Sequence, residues 1–270
     1  MPAMKPLAVA GFGKLGSAIV RGALRSGVIE ASSTIVWARS EARRDEARAL
    51  GVELREWPDV LSSASTLLLA LKPQAFASMT QHAPRVMDGA VVISVMGGWS
   101  AAAIGARLGT DRVIRAMPSV AASVGASTTA LCVPAGIPAR DVEFVRGLFG
   151  SVGRVVEIPE AAMDAATAVG ASGVGFACAF MEALERAGVQ VGLEPEVAAA
   201  LALGAIEGAA ATVRAGMGSA SQIREQVTSP GGTTAAGLAA MRAARLDEAI
   251  EQCVGAARDR AAELGASSGT

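Results

Sequence analysis

Apolar positions follow two different rhythms along this chain. Up to about residue 157, short runs are apolar at nearly every position, as in Leu7-Ala8-Val9-Ala10, Thr34-Ile35-Val36-Trp37 and residues 66–71 and 90–95. Runs without polar alternation fit strands buried on both faces. Residues 112–116, 128–133 and 154–157 supply further candidates, and punctuation closes the two longest runs, Lys72-Pro73 after the first and Gly97-Gly98 after the second. Helical stretches separate these runs, the alternation expected of a parallel sheet with helices on both faces. After Pro159 the rhythm changes to alanine-rich helical periodicity, predicting helices over 160–169, 173–187, 195–215, 220–227 and from Thr234 into the C-terminal region. The expected division is therefore an α/β domain over 1–157 and an all-helical domain over 158–270.

The first run leads into Gly11-Phe12-Gly13-Lys14-Leu15-Gly16 and a helical stretch over 17–26. Strand, glycine turn and helix in that order form the dinucleotide-binding context of the G-x-G-x-x-G pattern, and imply a Rossmann-type doubly wound sheet. Gly11 makes the turn, Gly13 lets the backbone approach a pyrophosphate, and Gly16 lets helix and strand pack closely. At the end of the second run, where an acidic residue would favour NAD, stand Arg39 and Ser40. A guanidinium can take phosphate oxygens in a bidentate pair, so NADPH is the expected cofactor, with NADH binding more weakly. The competing reading assigns Arg39 to the solvated cluster of Glu41, Arg43 and Arg44. Ligands of such sheets sit beyond the carboxyl ends of the strands, which places Ala70, Leu71, Lys72 and Pro73, then Met96, Gly97 and Gly98, and Met117 to Ser119 along the nucleotide cleft.

The second half holds one further motif, Val227-Thr228-Ser229-Pro230-Gly231-Gly232-Thr233-Thr234, ahead of a helix. Its glycines permit close backbone approach, Thr233 is the expected N-cap, and the free N–H groups of the following helix attract an anion such as a carboxylate.

Composition narrows the chemistry further. A net charge of -1 gives no case for nucleic acid or an anionic membrane as partner. Three well-separated cysteines, Cys132, Cys178 and Cys253, form neither a metal-ligand pattern nor a disulfide framework, and point to a reducing cytoplasm. The stretch 1–6 is too short for a secretory signal, and the uncharged run 165–181 ends at Glu182 and is not assigned as a membrane span. On the helical stretch 195–215, Ala200, Gly204, Gly208 and Thr212 fall four apart, a small-residue face suited to core packing or to a dimer contact. The chain has no tyrosine, one histidine at His82 and lysines at Lys5, Lys14 and Lys72 alone. A general acid of the tyrosine-lysine kind is excluded, and the helical half has no lysine to serve as one. Carbonyl reduction needs a proton donor. Reduction of an already protonated imine does not.

These motifs together resemble the pyrroline-5-carboxylate reductase family. The resemblance rests on residues 11–16, Ala70-Leu71-Lys72-Pro73-Gln74, Arg112 through Pro118, Ser151-Val152-Gly153 and above all 227–234 followed by Gly237-Leu238. It implies an NADPH-dependent imine reductase that makes L-proline, with a homodimer built through the helical domain and often a ring of dimers. It further implies that Ser229, Gly231, Gly232, Thr233 and Thr234 hold the substrate carboxylate, with the Thr234 hydroxyl near the imine nitrogen as the catalytic contact. Ala70, Lys72 and Pro73 would border the nicotinamide ribose. Two segments depart from the family pattern: Val174-Gly175-Phe176 stands where Pro-Ala-Tyr is usual, and Ser119 replaces an asparagine, with Ala121 where a proline is common. They leave room for a related cyclic imino acid such as a piperideine carboxylate, and a third reading makes the chain a nucleotide-binding regulatory protein without turnover.

Overall fold

The computed structural model describes residues 6–268, with side chains described as far as Gly265. The expectation about a secretory signal at 1–6 and the lysine Lys5 fall outside the described residues, apart from Pro6. The apolar runs form strands β1 (Leu7–Ala10), β2 (Thr34–Trp37), β3 (Glu53–Leu54), β4 (Thr66–Leu69), β5 (Val91–Ser94), β6 (Val113–Met117), β7 (Ser127–Cys132) and β8 (Gly153–Glu157). Between them lie α1 (Lys14–Arg25), α2 (Glu41–Ala49), α3 (Pro73–Met79), α4 (Ala101–Leu108) and α5 (Ala139–Gly150). The strands make one sheet in the order β3-β2-β1-β4-β5-β6-β7-β8. Its first six strands repeat the doubly wound order whose direction reverses between β1 and β4.

Every residue of β1, β2, β4 and β5 is buried. Alternate side chains feed two cores: Leu7, Val9, Val36 and Leu68 meet Ile19 of α1 and Phe149 of α5, while Ala8, Ile35, Leu67 and Val92 meet Phe76 of α3 and Ile104 of α4. This two-faced burial is the physical reason the runs lack polar alternation.

The sheet departs from all-parallel at one junction. β7 pairs with β6 antiparallel and with β8 in parallel. Only a 3₁₀ turn, Val120–Val124, lies between β6 and β7, too short for a crossover, whereas α5 returns the chain between β7 and β8. The two-residue β3 had no apolar run to announce it.

Downstream, a 3₁₀ turn (Glu160–Ala162), α6 (Met163–Ala166) and a π turn (Thr167–Ala171) lead into α7 (Gly173–Gln190), followed by α8 (Pro195–Arg214), α9 (Ala220–Gln226), α10 (Thr233–Ala243) and α11 (Leu246–Ser268). The single C-terminal helix expected from Thr234 onward is in fact two, broken where Arg245 adopts φ 55°. The chain forms two compact units, residues 1–172 with 256–270 and residues 173–255, rather than dividing at 157. The segment after β8 stays with the sheet because Met163 is buried against Met117, Ala130 and Cys132. The change of composition at Pro159 marks the onset of helix, not the edge of the packed unit.

Within the second unit, α7 and α8 pack closely: a methyl on Gly188 would stand 3.0 Å from the Ala198 Cβ. A capping box of Ser219 and Gln222 starts α9. Among the described residues of this unit, Ala198 and Ala202 are the only fully buried side chains.

Candidate active site

The glycine turn after β1 is sterically specified. Gly11 has φ 109°, and a Cβ there would meet the Ala70 carbonyl oxygen at 2.4 Å; a Cβ on Gly16 would meet the Gly11 carbonyl at 2.2 Å. Gly13 differs, because nothing lies within 4 Å of the position its Cβ would take. It is also the N-cap of α1, makes no side-chain cap, and is followed by a first turn that contains no acid. Open space over a glycine, next to unsatisfied helix N–H groups, fits a dinucleotide pyrophosphate. Lys14 is exposed and Leu15 half-buried there, whereas the Phe12 ring fills the first core, so Phe12 offers only its backbone.

The neighbouring strand ends complete this rim. The Ala70 N–H donates to the Ala10 carbonyl at 2.9 Å, tying the ends of β4 and β1 together. Leu71 leans on the second core, Lys72 caps α3 with its side chain exposed, and Pro73 opens the helix at a position suited to proline. The Met96 side chain is buried in the second core and its N–H donates to Ser94 Oγ at 3.2 Å, so Met96 would face the cleft only through its carbonyl. Gly97 beside it does face open space, but Gly98, at φ 78°, is spoken for by α11, since a Cβ there would lie 2.9 Å from the Leu264 carbonyl carbon.

At the end of β2, Arg39 is set apart from the charges around it. Arg43 pairs with Glu46, Arg44 with Glu56, and Arg48 with Glu41 at 2.7 Å and Asp45 at 2.6 Å; among the described residues Arg39 has no carboxylate partner. Arg39 thus stands outside the ion pairs that its neighbours make. Ser40 is the N-cap of α2 yet makes no capping bond, which leaves its hydroxyl available. Glu46 also takes Arg21 of α1 at 2.7 Å. Burial pushes its carboxyl up, but the hydrogen bonds and charges of Arg21 and Arg43 together outweigh burial and hold it below the usual range.

A cleft of about 590 Å³ opens between α1 and the turn after β6, with Lys14, Ser17, Pro118 and Ser119 in its walls. The Ser119 N–H donates to Ser127 Oγ at 3.0 Å, and Ser127 in turn lies 3.5 Å from the Thr129 hydroxyl. Ser17 and Ser123, not foreseen from the sequence, share this wall, because a serine on a helix face carries no signal of which side it presents. A larger cleft of about 690 Å³, bordered by Asp88, Asp111 and Arg112, adjoins the starts of β5 and β6 and contains none of the expected site residues. Ligands of doubly wound sheets bind at the opposite strand ends, the side on which the smaller cleft lies.

The motif over 227–234 forms a loop between α9 and α10. Gly231 has φ 71°, a left-handed conformation that favours glycine. A Cβ on Gly232 would stand 2.4 Å from Ser229 Oγ, and the Gly232 N–H donates to the Ser229 carbonyl at 3.0 Å. Gly232 rather than Thr233 is the N-cap, without a side-chain bond, and Thr233 is the first helical residue. The opening N–H groups of α10 are thus uncapped, its first turn holds no acid, and Ser229, Thr233 and Thr234 are exposed around it. That is an anion-binding arrangement. His82 is exposed just after α3. Burial raises the Cys132 thiol, with the Glu160 charge adding to this and Arg115 opposing it, so Cys132 is an inert core residue.

Residues 160–264 match the family model described as pyrroline-5-carboxylate reductase dimerisation, and residues 6–98 match the one described as NADP oxidoreductase coenzyme F420-dependent. A pyrroline-5-carboxylate reductase of Thermus thermophilus is 36% identical, covering 97% of this chain and 99% of its own. The solved pyrroline-5-carboxylate reductase of Coxiella burnetii superposes with a TM-score of 0.87 at 27% identity, covering 97% of this chain and 98% of that one. The Plasmodium falciparum pyrroline carboxylate reductase, solved with NADP bound, shares the fold at a TM-score of 0.85 and 24% identity, covering 98% of this chain and 99% of its own. With sequence identity sustained over nearly its full length, and with both the glycine turn and the 227–234 loop in place, the chain belongs to the pyrroline-5-carboxylate reductase family.

Proposed function

We propose that this protein reduces 1-pyrroline-5-carboxylate to L-proline with NADPH. The observation that carries this reading is the uncapped N-terminus of α10, ringed by Ser229, Thr233 and Thr234, in a chain that also bears a glycine turn shaped for a dinucleotide. The Gly11 to Gly16 turn and the start of α1 would hold the pyrophosphate, Arg39 and Ser40 would hold the 2′-phosphate, and Ala70, Leu71, Lys72, Pro73, Met96 and Gly97 would border the nicotinamide end. NADPH, when bound, supplies the hydride that adds to the imine carbon.

The protein's own part is positioning. The α10 N–H groups and the Ser229 hydroxyl hold the ring carboxylate, and Thr234 gives a polar contact to the ring nitrogen. The iminium form of the substrate already carries its proton. As the new C–H bond forms, the π pair of the C=N bond stays on nitrogen as a lone pair, so no proton is required from a side chain. This agrees with a chain that has no tyrosine and whose single histidine is exposed outside the motifs. Holding reactants in line can account for on the order of 7 kcal/mol of barrier lowering.

Functionally, the division after Glu157 separates a nucleotide-binding part from a substrate-binding and dimerisation part. A homodimer is part of the proposal, and a ring of such dimers extends it. The continuous helical stretch 160–190, which ends in α7, and α8 (195–214) are long and apolar enough to cross a membrane by length and composition, with 6% and 11% of their most apolar windows buried. A second copy of the chain accounts for these uncovered faces better than lipid does, because Glu182, Glu185, Arg186 and Glu207 interrupt the helices. A cytoplasmic location goes with this reading, as do the three unpaired cysteines.

The test is the reduction of a panel of cyclic imino acids by purified protein, followed by loss of NADPH absorbance. Pyrroline-5-carboxylate should give the highest kcat/KM. Preference for a piperideine carboxylate would move the assignment to the related ring, and absence of turnover with every member would overturn it.

A further inference from the structure

Among the described residues Arg39 pairs with no carboxylate, yet its guanidinium is held. Its Nη2 donates to the sulfur of Met79 at 3.7 Å. Met79 ends α3 and packs, half-buried, on the second core beside Trp57. The Trp57 indole N–H donates to the Met79 carbonyl at 3.2 Å, and the Trp57 ring leans on Trp37, with centroids 5.4 Å apart. Trp37 is the last residue of β2, two positions before Arg39. The contacts therefore close a circuit from β2 through Trp57 and Met79 back to Arg39. It reaches from the end of β2 to the helix after β4, and these two strands flank β1 at the reversal of strand order, where nucleotides bind.

The chemistry of the holder matters. A thioether is a weak, neutral acceptor. It limits the freedom of a long side chain without competing for its charge, so a phosphate meets a guanidinium already in place and has no ion pair to displace. Ordering the side chain beforehand removes part of the entropy lost on binding. We propose that Met79 and Trp57 are positioning residues for Arg39 and thereby set the preference for the 2′-phosphorylated cofactor. This rests on the NADPH reading above.

The test measures the dissociation constants of NADP⁺ and NAD⁺ by calorimetry for the unmutated protein, Met79→Leu, Trp57→Phe and each change combined with Arg39→Ala. Met79→Leu keeps the bulk and removes the sulfur, and Trp57→Phe keeps an aromatic ring and removes the N–H. Each should weaken NADP⁺ by about threefold to tenfold, the effect of one modest hydrogen bond, while leaving NAD⁺ within about twofold. On the Arg39→Ala background neither change should alter NADP⁺ binding further, because the partner being positioned is gone. Steady-state kinetics should show a raised KM for NADPH at unchanged kcat. Unchanged NADP⁺ affinity in both single variants, equal loss for NAD⁺, or a loss that persists without Arg39 would overturn the inference. Equal affinity of the unmutated protein for the two nucleotides would instead overturn the NADPH reading.

Discussion

Two side chains at the residue scale carry opposite expectations. Arg39 is exposed and without a carboxylate partner among the described residues, so its charge is available to a phosphate. Arg39→Ala should weaken NADPH binding by about 1.5 to 3 kcal/mol, the worth of a charge-assisted contact, and leave NADH nearly untouched; fluorescence titration with both cofactors checks this. His82 is also exposed but lies outside the glycine turn and the carboxylate loop, so His82→Ala should leave the rate of pyrroline-5-carboxylate reduction nearly unchanged. Thr234→Ala should lower kcat through the lost contact to the ring nitrogen, and Ser229→Ala should mainly raise KM, because backbone N–H donors remain at the α10 terminus. A loss in His82→Ala as large as in Thr234→Ala would contradict the self-protonated imine mechanism.

Elements are joined by contacts that can be tested separately from chemistry. Glu46 of α2 binds Arg43 on its own helix and Arg21 on α1, and its folded carboxyl titrates below the ordinary value of 4.5. A group with a depressed folded pKa adds stability above its unfolded pKa and loses it as pH falls through the folded one. Glu46→Gln should therefore lower Tm at neutral pH, by at most about 1 kcal/mol of stability for a partly exposed pair. The difference from the unmutated protein should close as pH drops through and below 4.5 in a thermal scan. At α10, the N-cap Gly232 has φ -77°, which alanine can adopt, but the added Cβ would displace Ser229 Oγ. Gly232→Ala should raise KM for the imino acid severalfold with little change in Tm, a split that kinetics and calorimetry together would reveal.

At the scale of the whole molecule, the proposed dimer would cover surfaces that one chain leaves bare. Leu201, Leu203 and Val213 of α8 are exposed by 59%, 44% and 40%, and among the described residues nothing beyond the helix's own adjoining turns lies within 4 Å of where a Cβ on Gly204 or Gly208 would stand. Gly204→Leu should leave the single chain's own contacts intact and disrupt association by overpacking. Light scattering should show a dimer for the unmutated protein and a smaller species for the variant; a monomeric unmutated protein in dilute solution would refute the proposed dimer.

Much of this arrangement was legible in the residues because its causes are local. β1 and β2 fall where the apolar runs stand, since a strand buried on both faces can bear no polar alternation. The glycine turn was readable because Gly11 and Gly16 stand where any side chain would strike backbone. The 227–234 loop and the uncapped helix start after it were readable because glycines and hydroxyls before a helix need no distant partner to form that turn. The tertiary structure decided what depends on distant partners. Met96 turned into the core, Gly98 was taken by α11, and the stretch after β8 stayed with the sheet through Met163. The reversal at β7 followed from a missing crossover rather than from the strand's own residues. Sequence fixes the conformations a segment can adopt by itself; which side of that segment faces a neighbour is settled only when the neighbour arrives.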